Sequence, residues 1–273
     1  MTEHEEQPFS WQSSEQAAQW AQQSQLREGL FGEATRLMLQ AAELKPGDHV
    51  LDIAAGTGDQ SLYAARQVGP TGTVLATDIS AEMLKEAAHL AQQEGFTNVT
   101  TRVMNAEQLD LPDQAFDAVI CRLGLMLVKH QHQALLEIHR VLKPTRKLAA
   151  LVWSTPDRHP LLSIPLTIVA KYVPLPANTP NLFSLAGSPV FEQALSDAGF
   201  RDVTIRAIPI QFHFDSMEAF LQPPGNIITN AMAQLNQSDG QRLLEEVKQA
   251  LRQFEGPQGL VVPSELLLGV GTI

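Results

Sequence analysis

Apolar residues run almost unbroken from Val50 into an acid and then into small residues, VLDIAAGTG, the pattern of a buried parallel strand whose tight turn opens a helix. The same change of period recurs downstream. Gln60 to Gln67 reads as a helix ended by Gly69-Pro70, and Thr73 to Ile79 (TVLATDI) as a second strand. AEMLKEAAHLAQQEG, capped by Ser80, is a helix stopped at Gly95, and Val99 to Val103 is a third strand. Phe116-Asp117 opens a fourth strand ending near Cys121-Arg122-Leu123-Gly124. Ala134, Leu135, Ile138, Val141 and Leu142 then make one helix face closed by Pro144, and Lys147 to Trp153 is strand five.

The flanks carry weaker signals. A Gln- and Ala-rich run from Trp11 to Gln25 reads as a helix, and Leu26, Leu30, Phe31, Ala34, Leu37, Met38 and Ala41 keep a 3.6-residue period up to Pro46-Gly47. After Trp153, a helix is expected around Leu161 to Tyr172. Ser188-Pro189 starts another that closes at Gly199, Val203 to Phe214 reads as strand six, Ser216 to Glu255 is helical, and Leu260 to Ile273 supplies the last strand. Strands alternating with helices predict an α/β, doubly wound sheet.

In such a sheet ligands sit at the carboxyl ends of the strands, so the turn after Ile53 is the floor of a site. Gly56 and Gly58 let a ligand approach the backbone, and the amides of the following helix point to the same place, which suits a nucleotide-like molecule. A dinucleotide fingerprint needs a third glycine where Ser61 stands, and Asp52 lies inside the motif, so NAD is disfavoured. Asp78 closes strand two where a carboxylate can accept from both hydroxyls of a ribose, followed directly by Ile79. Met83 either lies against an adenine face or packs in the core. Trp11 and Trp20 either dock on the sheet or cap a ligand, with Trp153 as a third candidate for the substrate pocket.

Composition narrows the partners. The chain has 273 residues, 44% of them hydrophobic, enough for a full core. A net charge of -11 opposes binding to a polyanion, so a nucleic-acid substrate is not expected. The single cysteine, Cys121, leaves no disulfide framework and no multi-cysteine zinc site, and suits a reducing cytoplasm. The scattered histidines lack ligand spacing, so no metal is expected. The polar, acidic start MTEHEEQPFS is no signal peptide, and the apolar stretch Leu161 to Ala177 is broken by Lys171 and prolines, so no membrane insertion is expected.

The order VLDIAAGTG, TDIS followed by EML, NAEQLDLP, FDAVICRLGLM, and HRVLKP followed by LAALVW resembles the UbiE-like (methyltransferase type 11) family of class I S-adenosylmethionine (SAM)-dependent methyltransferases, over about Gly47 to Trp153. The resemblance implies a Rossmann-like, mostly parallel seven-stranded sheet with an antiparallel terminal strand, SAM as cofactor, and methyl transfer to a small, largely apolar acceptor on oxygen, nitrogen or carbon. A non-catalytic SAM-binding protein is the alternative, and a nicotinamide-dependent oxidoreductase a more distant one. The implied cofactor set is Asp52, Ala54, Gly56, Gly58, Asp78, Ile79, Met83, Asn105, Ala106, Glu107 and Arg122. In it, Asn105 replaces an acid that meets the adenine amino edge, and Arg122 meets the cofactor carboxylate or an acidic substrate group, or else makes a structural ion pair.

Ala54 stands where the family has its first glycine, and Thr145-Arg146 replaces a glycine pair. The chain is expected as one domain with capping helices over 1–45, a SAM-binding core over 46–153, a lid insertion over 154–187, and the rest of the sheet with a helical insertion over 188–273. If the acceptor must lose a proton, His130 after strand four and His159 at the start of the lid are the candidate bases.

Overall fold

The computed structural model describes residues 13–174, 179–221 and 227–273. Trp11 lies outside them. By internal contacts the chain divides into two compact units. One holds the described residues up to Trp153 with Pro180–Ile208 and Leu266–Ile273; the other holds those of Ser154–Thr179 and Pro209–Glu265. The stretch expected as a lid is therefore shared, with its last residues in the first unit.

Two helices come first, α1 (Ser14–Gln22) and α2 (Ser24–Ala41). Strand β1 (His49–Ile53), helix α3 (Asp59–Val68), β2 (Thr73–Asp78), α4 (Ala81–Gln93), β3 (Val99–Val103), β4 (Phe116–Arg122), α5 (Gln131–Val141) and β5 (Leu142–Trp153) then alternate as expected. Helix α6 (Pro160–Tyr172) is followed by α7 (Ser188–Asp197), the long strand β6 (Arg201–Phe214), α8 (Met217–Leu221), α9 (Ile227–Met232), α10 (Gln237–Leu251), the two-residue strand β7 (Glu255–Gly256) and β8 (Gly259–Thr272).

The sheet order is β3-β2-β1-β4-β5-β8-β6, with β7 paired to β8. β1, β2, β3, β4 and β5 pair in parallel, and β8 runs antiparallel to β5, Leu151 facing Leu268. The fold is thus the mostly parallel α/β sheet with an antiparallel terminal strand, plus a short eighth strand where β7 folds back on β8. Parallel strands covered on both faces need apolar centres, and β1 and β4 have them: Val50, Leu51, Ala118, Val119 and Ile120 are fully buried.

Three local readings needed revision. The apolar stripe of α2 turns by one residue, for Leu26 is 53% exposed while Arg27 is buried. β5 starts at Leu142 and runs through Pro144, a residue tolerated because the ladder with β4 breaks there, between Phe116 and Ala118. Thr145 takes the left-handed conformation (φ 66°) that a glycine would favour; the neighbouring Arg146 bonds Asp117 at 2.8 Å and Asp48 at 3.3 Å. The helical stretch expected over Ser216–Glu255 is three separate helices.

In the second unit α6 packs on α9 and α10. Lys171 pairs with Glu246 at 2.9 Å, and the Tyr172 hydroxyl donates to the same carboxylate at 2.5 Å. Among the described residues no helix is long and apolar enough to cross a membrane.

β8 is close-packed because its glycines admit rings: a Cβ on Gly269 would overlap the fully buried Phe191 of α7, and one on Gly271 would lie 2.7 Å from the Cβ of Phe200. Gly269→Ala should therefore cost about 1–3 kcal/mol by overpacking, read as a lower urea midpoint with unchanged slope.

Candidate functional site at the glycine turn

Ala54 to Gly58 join β1 to α3, and the chain turns here only by leaving ordinary backbone space. Ala54 (φ 54°), Gly56 (φ 56°) and Gly58 (φ 84°) all have positive φ. At Gly58 the second reason is contact, since a Cβ there would come 2.9 Å from that of Ala87 on α4. At Gly56 a Cβ would meet nothing within 4 Å, so the backbone faces open space. Ala54 keeps the conformation of a glycine with a methyl attached. It is tolerated because Gly124, after β4, gives it room; a Cβ on Gly124 would overlap that methyl.

Two carboxylates hold the turn to the sheet. Asp78, at the end of β2, accepts from the Gly56 amide at 2.9 Å with one oxygen and from the Ser80 amide at 2.9 Å with the other. Burial raises its pKa, against the pull of those amides. The Ile79 amide adds to that pull, and the carboxylate keeps acceptor capacity beyond these three amides. Asp52 is fully buried inside β1, where it accepts from the Ser61 hydroxyl at 2.5 Å and from the Gln60 amide at 3.1 Å. It braces α3 from behind the turn. Burial pushes its pKa up to about 7, although Ser61, Gln60 and the charge of Arg122 oppose this.

A third carboxylate was missed by the sequence reading. Asp59, the first residue of α3, accepts from Ser24 at 2.7 Å, from Arg27 Nε at 2.6 Å and from Arg122 at 3.2 Å. Arg27 also reaches Thr57 of the turn at 2.9 Å and the Trp20 carbonyl, and lies 4.7 Å over the Trp20 ring. Arg122 adds a hydrogen bond to Thr35 at 3.1 Å. Burial would raise Asp59, but the bond and charge of Arg27 and the charge of Arg122 outweigh it and hold the acid below its usual range. The signal available in the sequence was a lone arginine four residues before Phe31, on the stripe of α2.

The remaining candidates fall on either side of the turn. Ile79 (62% exposed) and Val103 (53%) stand open at the ends of β2 and β3. Met83 is buried, its amide capped by Ser80 at 3.2 Å. The Asn105 side-chain oxygen Oδ1 accepts from the Glu107 backbone amide at 3.0 Å, within a turn that also contains Ala106, and the Glu107 carboxylate accepts from the His130 backbone amide at 3.1 Å. His130 is exposed at the start of α5. Trp153 is buried beside Phe31, with ring centroids 5.9 Å apart.

His159 belongs to the second unit, where it is buried, stacked on Phe212 at 5.5 Å, with Nδ1 2.7 Å from the Ser264 hydroxyl. Burial pushes its pKa down to about 4, so it is neutral at pH 7. Among the described residues no group of three His, Cys, Asp or Glu side chains is placed to hold a metal ion.

Residues 44–159 match a family model described as a methyltransferase domain. The chain is 38% identical over 141 residues to the ubiquinone/menaquinone biosynthesis C-methyltransferase UbiE of Ectopseudomonas mendocina, covering 51% of this chain and 55% of that one. It spans about half the length of the curated relatives it matches. Among solved structures, YcgJ from Bacillus subtilis aligns with a TM-score of 0.60 at 21% identity, over 88% of this chain and 98% of that one. A SAM-dependent methyltransferase from Aquifex aeolicus aligns with a TM-score of 0.56 at 24% identity, over 72% and 93%. These likenesses to solved structures concern the fold.

Two outcomes are expected at the turn. Asp52 has a folded pKa near 7 against an ordinary value of 3.8, so between those limits the native state holds the extra proton, and stability falls as pH rises from about 3.8 to about 7 and levels off above. The melting temperature of the wild type should fall across pH 5 to 8 more than that of Asp52→Asn. Gly124→Ala should destabilise by about 1–3 kcal/mol through overlap with Ala54, and adding Ala54→Gly should recover part of that loss in a double-mutant cycle.

Proposed function

We propose that this chain transfers the methyl group of SAM to a small, largely apolar acceptor, a reading supported by the match of residues 44–159 to a methyltransferase-domain model and by the likeness to UbiE relatives. The observation that carries the reading is the joint between Asp78 and Gly56, which sets a carboxylate with spare lone pairs beside an open glycine backbone at the carboxyl edge of the sheet. A nucleoside fits this place. Asp78 accepts from the ribose hydroxyls, Ile79 and Val103 flank the base, and Gly56 leaves the backbone open to close approach. The buried Ser61, tied to Asp52 where a dinucleotide fingerprint has its third glycine, supports SAM over NAD.

When bound, SAM supplies an electrophilic methyl carbon on a sulfonium that is itself the leaving group. The protein then has to hold the acceptor atom in line with that carbon, and positioning of this kind is worth about 7–11 kcal/mol. The matched relatives are named as C-methyltransferases of ubiquinone/menaquinone biosynthesis, which makes an electron-rich aromatic ring the first acceptor class to test. There a ring carbon bonds the methyl, the carbon–sulfur bond breaks, and the ring loses a proton. His130 is the exposed candidate to receive it; His159, held neutral by burial, belongs to the other unit.

Labelled SAM incubated with the protein and a panel of quinols, phenols and amines should give a methylated product. Binding of S-adenosylhomocysteine without turnover on any acceptor would instead support a non-catalytic SAM-binding protein. Asp78→Ala should weaken SAM and S-adenosylhomocysteine by about 1.5–3 kcal/mol in calorimetry, and unchanged affinity would refute the ribose role. His130→Asn should lower turnover less than about 100-fold.

A further inference from the structure

The arginine of the HRVLKP stretch, Arg140, has no part in the glycine-turn site, yet all five of its side-chain N–H donors are used. It lies in the last turn of α5. Nε and Nη2 take the two oxygens of Glu137, one turn earlier, at 2.9 and 2.8 Å. Nη1 donates to the Leu111 carbonyl at 2.8 Å and to the Asp113 carboxylate at 2.6 Å, and Nη2 also reaches the Leu109 carbonyl at 2.8 Å. Glu137 in turn accepts from the Leu109 amide at 2.8 Å, and the bond from Arg140 holds its carboxyl below the usual range. The Arg140 carbonyl accepts from the Gln114 amide at 3.0 Å.

Apart from the pair itself, every one of these partners belongs to the connection between β3, which ends at Val103, and β4, which starts at Phe116. That connection holds one isolated bridge, Asn105 to Gln108, and no named helix or strand. A loop of about a dozen residues keeps one path only if its backbone groups are bonded elsewhere. Here α5 supplies those bonds at both of its ends, since the His130 amide donates to Glu107 at 3.1 Å. A single surface ion pair fixes little, but a bidentate pair joined to main-chain carbonyls fixes geometry. The start of the loop is also held to the ligand edge: Val103 pairs with Asp78, and the Met104 amide donates to the Asp78 carbonyl at 3.0 Å.

We propose that Arg140 and Glu137 are positioning residues for base selection, holding the loop after β3 against α5 so that the backbone of Asn105 to Glu107 presents one fixed edge to a purine. The inference rests on the proposed function, because it takes the ribose on Asp78 as given. A fixed edge separates a purine with a 6-amino donor from one with a 6-oxo acceptor, since the wrong partner leaves a polar group unpaired. A loop free to shift would form its contacts with either. Neither Arg140 nor Glu137 is a ligand contact in this scheme; both act through the main chain of the loop.

Calorimetry compares three ligands: S-adenosylhomocysteine, S-inosylhomocysteine with a 6-oxo group in place of the amine, and S-ribosylhomocysteine, which has no base. The wild type should favour the adenosyl over the inosyl compound by at least about tenfold, the scale of a hydrogen bond lost with its partner left unpaired. Arg140→Gln should reduce that ratio to less than about threefold while leaving S-ribosylhomocysteine affinity unchanged, a split that general loss of structure would not produce. Arg140→Lys keeps the charge but not the fork and should fall between the two. Should Arg140→Gln fail to fold, Arg140→Lys and Glu137→Gln carry the same comparison. An undiminished adenosyl preference in the variants overturns the base role, as does a wild type that binds both nucleosides alike. Proportional weakening of all three ligands overturns it as well, marking the pair as a support of the fold alone. If none of the three binds the wild type, the proposed function fails and the base role falls with it.

Discussion

Everything at the ligand edge depends on holding five residues, Ala54 to Gly58, in a conformation the chain does not favour by itself. Three carboxylates do this from three directions. Asp78 grips the turn from β2 through an amide, Asp52 braces the helix behind it, and Asp59 ties its far end to α2 and β4. None of the three is simply solvated. Asp59 keeps its charge because arginines surround it, whereas Asp52 has only neutral donors in contact and gives up part of its charge. The same burial thus produces opposite responses, decided by whether a guanidinium or an amide comes within reach.

The parallel half of the fold was legible because its signals are local. VLDIAAGTG, TVLATDIS and the capped helix after Ser80 each carry strand, turn and start signals within a dozen residues, and their placement followed. The division of the chain into two units was not legible, because β6 and β8 contribute residues to both and nothing in their composition changes at Ile208 or Leu266. The helices between them read as one helical stretch for a similar reason.

The site shows the same limit. Asp78 and the glycines stood out because spacing identifies them, but the Arg27–Asp59–Arg122 cluster joins residues 32 and 63 positions apart. No periodicity links such partners. Leu26 and Arg27 are adjacent, and hydrophobicity alone assigned the inner face to the leucine; the arginine won it because Asp59, Thr57 and the Trp20 ring compensate its charge there. A charged side chain can displace an apolar one from the interior when its acceptors arrive from elsewhere in the fold.

Cys121 is the sole thiol of the chain, it lies fully buried in β4 against β1, and burial pushes its pKa up to about 12. A thiol reacts as thiolate, so in the native state this one is closed to alkylating and oxidising reagents on two counts, access and ionisation. The molecule therefore contains its own clock for the opening of its central strands: the rate at which a thiol reagent consumes Cys121 counts how often β4 leaves its neighbours.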